Sequence, residues 1–355
     1  MRSPEADKGT DSLSRDLANL AETLGEIEHS KWVTRAIAVL VRLTGEEVDR
    51  LDWKILTAAL EDLEQAFQIF YAYRHVRKVS IFGSARTSPD EPEYQLATEF
   101  ARAIVQQGFM VITGAGGGIM EAANKGAQRE HSFGLNIQLP FEQGANPFIN
   151  DDPKLINFKY FFTRKLFFLR ESDAIAVFPG GFGTLDEVFE ALTLSQTGRY
   201  GPVPLVLLEA PNSSYWEEWN DYIYNHLVNR GLVSPQDHSL YTITRDPQTA
   251  CQIISDFYRI YHSSRFVGEK FVIRTNRELS DNAIAQLNDE FRDIRVQGNI
   301  ERTQALPQES QDDTINLPRL IFEYNQRDSA RLTQMIRKIN QLGTTHTQEE
   351  HPERK

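Results

Sequence analysis

Residues 174–187 read Ala-Ile-Ala-Val-Phe-Pro-Gly-Gly-Phe-Gly-Thr-Leu-Asp-Glu, and this stretch constrains the fold more than any other. An apolar run of strand length meets a glycine turn, and a helical pattern, Val188 to Leu192, follows at once. A buried strand, a tight turn and a helix start therefore sit in one piece. The turn aims free N–H groups and the positive end of a helix dipole at whatever lies above it, which suits phosphate. Glu187 stands only one turn into that helix, so an acid lies beside the cradle.

The same alternation recurs along the middle of the chain. Strands are expected at Val79–Phe82, Phe109–Thr113, Gly134–Leu139, Ala174–Phe178 and Val203–Leu208. Helical spacing follows each, at about Glu93–Gln107, Ile119–Arg129, Thr163–Ser172, Thr184–Thr197 and Ser214–Arg230. Apolar strands alternating with amphipathic helices predict an α/β fold: a Rossmann-like, doubly wound parallel sheet covered on both faces. In such sheets ligands bind at the carboxyl ends of the strands, near the point where strand order reverses. Three glycine turns, Gly83-Ser84, Gly114–Gly118 and Gly180–Thr184, directly follow strands and should converge on one crevice.

Additions flank this domain, expected at 75–264. Residues 1–74 read as a helical N-terminal extension. Its first dozen residues form a polar tail expected to be disordered, and Leu13, Leu17, Leu20, Leu24 and Ile27 then recur at helical spacing. Helical runs follow over about Lys31–Leu43 and Glu46–Tyr73. A helix near Pro247–Tyr261 should close the central domain. Residues 265–342 read as a small α+β appendage in β-α-β-β-α order: strand Lys270–Thr275, helix Asp281–Arg292, strands Ile300–Leu306 and Leu317–Tyr324, helix Ser329–Leu342. Residues 343–355 read as a disordered tail.

Several classes of function are disfavoured. A formal net charge of −12 argues against broad binding of nucleic acid or of an anionic membrane. The longest apolar runs are too short to cross a bilayer, and the polar N-terminus has no signal-peptide core. Cys251 is the only cysteine, which fits a reducing, cytoplasmic setting. The eight histidines are scattered, with no HExxH and no Cys/His cluster, so no metal is expected. The Gly114–Gly118 turn is no dinucleotide fingerprint, because Ile119 and Glu121 stand where its last glycine would fall. Walker A is absent, and Gly83-Ser84-Ala85 lacks the nucleophile elbow. No cofactor is expected.

Each motif also has a purely structural reading. Thr184-x-x-Glu187 matches a capping box, in which the two residues satisfy each other's orphan N–H groups. The basic stretch Lys154, Lys159, Arg164, Lys165 and Arg170 fits a solvated helix face. Phe158, Phe161, Phe162, Phe167 and Phe168 fit core or a subunit interface better than a base-stacking platform.

Taken together, the residues resemble one family. Thr163-Arg164-Lys165 followed by PGGFGTLDE is similar to the hallmark of the LOG (LONELY GUY) proteins, formerly labelled lysine decarboxylase-like. FGSAR at Phe82–Arg86, TGAGGGIMEAANKGA at Thr113–Ala127 and GLNIQLPFEQGANPF at Gly134–Phe148 resemble its longer bacterial members. The resemblance covers about residues 75 to 262. It implies hydrolysis of the N-glycosidic bond of a nucleoside 5′-monophosphate, purine or cytokinin-type, to free base and ribose 5-phosphate.

The resemblance also implies a catalytic pair, Arg164 and Glu187. Substrate contacts would come from Ser84, Gly114, Gly116, Gly117, Lys165, Gly180, Gly181, Gly183 and Thr184. Glu142 is the match for an upstream acid that contacts the sugar, and Thr193 is a further candidate. Gly118 stands where relatives often have proline, which should loosen that turn. The family relation suggests at least a homodimer, with Phe158–Phe168 a candidate interface. Breaking a ribosyl bond passes through an oxocarbenium-like state that a carboxylate can stabilise. Arg164, always charged, would position and stabilise rather than donate a proton.

Two alternatives stay open. One is a non-hydrolytic carrier of a phosphorylated cofactor, like the related molybdenum-cofactor carriers. The other is a regulatory protein using the C-terminal piece as a sensor. A lysine decarboxylase would need a Schiff-base lysine in context, which Lys125 and Lys165 lack.

Overall fold

The computed structural model describes residues 29–138 and 144–349. The leucine-spaced N-terminal segment, the polar tail before it and Glu142 lie outside the described residues. The chain divides into two compact units, residues 1–63 and 64–355. In the first, α1 (Ser30–Thr44) buries none of its residues, and α2 (Arg50–Tyr71) begins.

The second unit holds a sheet of seven parallel strands. These are β1 (Lys78–Phe82), β2 (Met110–Thr113), β3 (Ser132–Ile137), β4 (Leu155–Phe158), β5 (Ala174–Val177), β6 (Leu205–Leu208) and β7 (Tyr241–Thr244). Their order across the sheet is 4-3-2-1-5-6-7. The central strands β1, β2, β5 and β6 are buried along their whole length, as a sheet covered on both faces requires. The covering helices are α3 (Pro92–Gln106), α4 (Ile119–Ala127), α5 (Phe161–Arg170), α6 (Phe182–Gln196), α7 (Tyr215–Ile223) and α8 (Pro247–Phe257). Strand order reverses between β1 and β5, which pair from Val79 opposite Ala174 to Phe82 opposite Val177. The Rossmann-like expectation holds.

Two strands go beyond the expected set. Both β4 and β7 are edges of the sheet, four residues long, with only half of their positions or fewer buried. An edge strand needs no continuous apolar run, so its sequence signal is weak. The stretch read as a basic helix face is not one helix: Lys154 and Lys159 flank β4, and only Arg164, Lys165 and Arg170 lie on α5.

A second, antiparallel sheet comprises β8 (Tyr261–Val267), β9 (Lys270–Thr275), β10 (Glu301–Thr303) and β11 (Arg319–Phe322), in the order 10-11-9-8. Its core joins Phe271, Ile273, Leu320 and Phe322 to α9 (Asp281–Glu290) and α10 (Ser329–Glu349). The observed order is therefore ββαββα. The extra strand β8 begins at Tyr261, where the spacing suggests a helix end; α8 stops at Phe257. Helix α10 continues to Glu349, into the segment expected as a tail. No described helix is long and apolar enough to cross a membrane.

Candidate active site

The site lies where strand order reverses. The turns after β1 and β5 are tied together: Ser84 N–H donates to Pro179 O (3.0 Å) and Phe178 N–H to Phe82 O (2.8 Å). Ile119 N–H, opening α4, donates to Ser84 O (3.0 Å). This last contact explains Gly118. Its φ is +63°, and a Cβ there would lie 2.2 Å from Ser84 O. The expectation of a merely loosened turn is therefore corrected: proline cannot adopt this φ, and only glycine fits the crossing of the two loops.

An open cleft of about 780 Å³ lies above these turns. It brings together Ser84, Gly114, Arg164, Gly180, Gly181, Gly183, Thr184 and Glu187. Gly116, Gly117, Lys165 and Thr193 do not line it. Asn146 holds the 115–116 turn instead, its Nδ2 donating to Ala115 O (3.1 Å) and Gly116 O (3.0 Å). Thr193 is exposed, nine residues along α6 from Thr184. Arg86, Met120, Phe182 and Leu185, which lie inside the quoted motifs but are not among the expected contacts, also line the cleft, with Phe161 and Phe168. The phenylalanine group splits: Phe158, Phe167 and Phe168 are core, while Phe161 and Phe162 are exposed.

Helix α6 starts three residues earlier than the capping-box reading requires. Its N-cap is Gly181, no side chain caps it, and Thr184 is three residues inside. Thr184 N–H and Leu185 N–H both reach Gly181 O (3.0 Å each). The Thr184–Glu187 capping box is therefore not formed. The remaining N–H groups of the first turn have no intrahelical partner and open on the cleft. A Cβ at Gly181 or Gly183 would meet nothing within 4 Å, so these glycines leave room for a ligand. Tyr215, at the start of α7, steadies the loop: its hydroxyl donates to Gly180 O (2.6 Å).

Arg164 and Lys165 are neighbours on α5, so their side chains diverge by about 100°. Arg164 lies against the ends of β2 and β3, its Nε donating to Leu135 O (2.7 Å) and Nη2 to Gly114 O (3.3 Å). Gly114 makes this possible, since a Cβ there would lie 2.3 Å from Nη2. The guanidinium also stacks over Phe168, 5.1 Å from the ring centre. Lys165 turns instead to α6, with Nζ 2.9 Å from Asp186 Oδ2 and 3.2 Å from Glu187 Oε2.

Glu187 is 8% exposed. Burial pushes its carboxyl above the ordinary value near 4.5, and the charges of Lys165 and Arg164 offset only part of this. Burial alone would lower the Lys165 ammonium, but Asp186 and Glu187 raise it overall. A lysine held charged between two carboxylates is a poor Schiff-base former. Among the described residues, no three His, Cys, Asp or Glu side chains come together to hold a metal.

A parallel sheet with a glycine-lined cleft at its switch point, an arginine on one wall and a buried acid on the other, defines a Rossmann-like α/β protein. The family model described as "possible lysine decarboxylase" matches residues 120–254. The chain is 30% identical over 157 residues to the cytokinin riboside 5′-monophosphate phosphoribohydrolase of Mycobacterium tuberculosis, covering 42% of this chain and 78% of that protein. It is 33% identical over 91 residues to the protein of that name from Rhodococcoides fascians, covering 26% and 44%. The solved molybdenum cofactor binding protein from Rippkaea orientalis covers 51% of this chain and 96% of its own at 19% identity, with a TM-score of 0.37. The chain belongs to the LOG family.

Proposed function

We propose that this protein hydrolyses the N-glycosidic bond of a purine or cytokinin-type nucleoside 5′-monophosphate, releasing free base and ribose 5-phosphate. One observation carries the reading: Arg164 and Glu187, 23 positions apart in the chain, line one cleft with the open N-terminus of α6. The names of the two phosphoribohydrolase relatives support it.

The 5′-phosphate sits on the first-turn N–H groups of α6, beside Thr184 and the Ser84 turn. That placement sets the ribose over Glu187, whose carboxylate stabilises the cationic sugar or activates the attacking water. Arg164 stays charged and steadies negative charge without donating a proton. Lys165 acts through Glu187, holding its carboxylate in place. The exposed rings of Phe161 and Phe162 on α5 suit a contact with a second copy, and we place the protein in the cytoplasm as a homo-oligomer.

The test is incubation with a panel of nucleoside monophosphates, nucleosides and lysine, followed by detection of free base. Glu187→Gln should lower kcat by about 10²–10⁴ with an unchanged circular dichroism spectrum. Activity near wild type in that variant would reject the assignment.

A further inference from the structure

A second cavity, of about 200 Å³, lies at the C-terminal end of α6, between the parallel sheet and the ββαββα lobe. The first lobe supplies Ser195, Tyr200, Pro202 and Val203, from the end of α6 and the connection to β6. The second supplies Phe266, Phe271, Tyr324 and Leu332. Phe271 packs against Phe266 (4.9 Å between ring centres) and Tyr324 (5.3 Å), giving one aromatic wall. Tyr324 is 6% exposed, and its buried hydroxyl has no hydrogen bond of proper geometry. Ser329 and the Asp328 main chain are its nearest polar neighbours. These contacts miss good hydrogen-bond geometry, so a ligand in the cavity can complete the bonding of this buried phenol.

The geometry points to a binding site for a small planar heteroaromatic molecule, a free purine base in size and chemistry, that uses the Tyr324 hydroxyl as its polar anchor. A cavity of roughly 150 Å³ holds one benzene ring, so this one suits a compact bicycle. The aromatic wall stacks a flat ring, and the hydroxyls of Ser195, Ser264, Ser329 and Thr333 that also line the cavity suit the ring nitrogens and exocyclic group of a heteroaromatic base. Arg265 at the rim is already engaged by Glu309 (3.2 Å) and Asp312 (3.0 Å), so its charge calls for no anion. Ser195 of this cavity and Glu187 of the cleft are eight positions apart on α6, about 12 Å along one rigid helix. A base bound here therefore bears on the helix that carries the catalytic acid. The choice of a base as ligand rests on the proposed reaction, which would release one.

Calorimetric titration of the full chain with adenine tests the site. Wild type and Glu187→Gln should bind equally, whereas Tyr324→Phe should weaken binding about tenfold, the loss of one buried hydrogen bond. Val203→Trp, which fills the cavity from a half-buried position, should abolish it while leaving the melting temperature within a few degrees. In turnover assays, adenine inhibition should persist at saturating nucleotide in wild type, need about tenfold more adenine in Tyr324→Phe and disappear in Val203→Trp. Binding that survives both Tyr324→Phe and Val203→Trp, or inhibition wholly relieved by substrate, belongs to the catalytic cleft and would overturn the inference. The titration reads binding without turnover, so adenine affinity can be measured even if no nucleotide is hydrolysed.

Discussion

Glu187 is placed so that its protonation carries opposite consequences for folding and for chemistry. Its folded pKa is raised by burial, so the fold favours the neutral acid. That contribution to stability is full below the unfolded carboxyl value and is lost as pH rises through the folded one. At pH 7 the ionised group therefore costs stability, and Asp186 keeps Lys165 paired if Glu187 is neutralised. Glu187→Gln should accordingly melt no lower than wild type at pH 7, with the difference shrinking as pH approaches 4; differential scanning calorimetry reads this. Activity runs the other way. The proposed reaction needs the carboxylate, so kcat/KM should fall as pH drops through a value above 4.5. A profile flat down to pH 4 would reject Glu187 as the ionised group. Two glycines separate space from function at the same scale. Gly118→Ala should cost about 1–3 kcal/mol, through strain at positive φ and collision with Ser84. Gly183→Ala, with open space around its Cβ, should keep the melting temperature and raise KM about tenfold by crowding the phosphate.

At the scale of elements, the Gly180–Thr184 loop is held from behind by α7. Glu209, fully buried at the end of β6, accepts from Trp216 N–H (2.8 Å) and pairs with Arg245 (2.9 Å), which fixes the start of that helix. Tyr215, one residue earlier, then reaches Gly180. Tyr215→Phe removes only that hydrogen bond, worth about 1 kcal/mol. KM for a nucleoside monophosphate should rise about fivefold, while kcat/KM for the nucleoside without phosphate stays unchanged. Equal losses on both substrates would mean that the hydroxyl supports the fold and not the loop. Most elements of the parallel sheet are legible in the chain, because a buried strand beside an amphipathic helix is written in local periodicity. The edge strands β4 and β7 are not, since half-exposed edges need no apolar run. The role of Tyr215 is equally hidden, as no local pattern shows a hydroxyl reaching a turn 35 residues away.

At the scale of the whole molecule, the second lobe adds a buried charge cluster to its apolar core. Glu309, 1% exposed, meets Arg274 (2.6 Å), Arg319 (3.1 Å) and Arg265 (3.2 Å) on one face of the antiparallel sheet. Burial alone would raise its pKa, but hydrogen bonds from Leu306 N–H and Arg274 and the Arg319 charge bring it below the ordinary value. Its contribution is thus present above the unfolded carboxyl value and lost as pH falls through the folded one. Glu309→Gln should destabilise this lobe by about 3–5 kcal/mol at pH 7, because buried guanidinium groups are left uncompensated. Thermal unfolding followed at pH 7 and pH 4 checks it, and the gap should narrow at the lower pH. The amino-acid order by itself determined the alternation of strands and helices, the glycine turn at Gly180–Thr184 and the acid beside it, since these depend on neighbours within a turn or two. Only the tertiary structure decided that strand order reverses between β1 and β5, that Arg164 faces the cleft while Lys165 grips Glu187, and that Gly114 and Gly118 serve packing. Those outcomes depend on which distant segments share the core, and contacts between residues far apart in the chain leave no periodic mark in it.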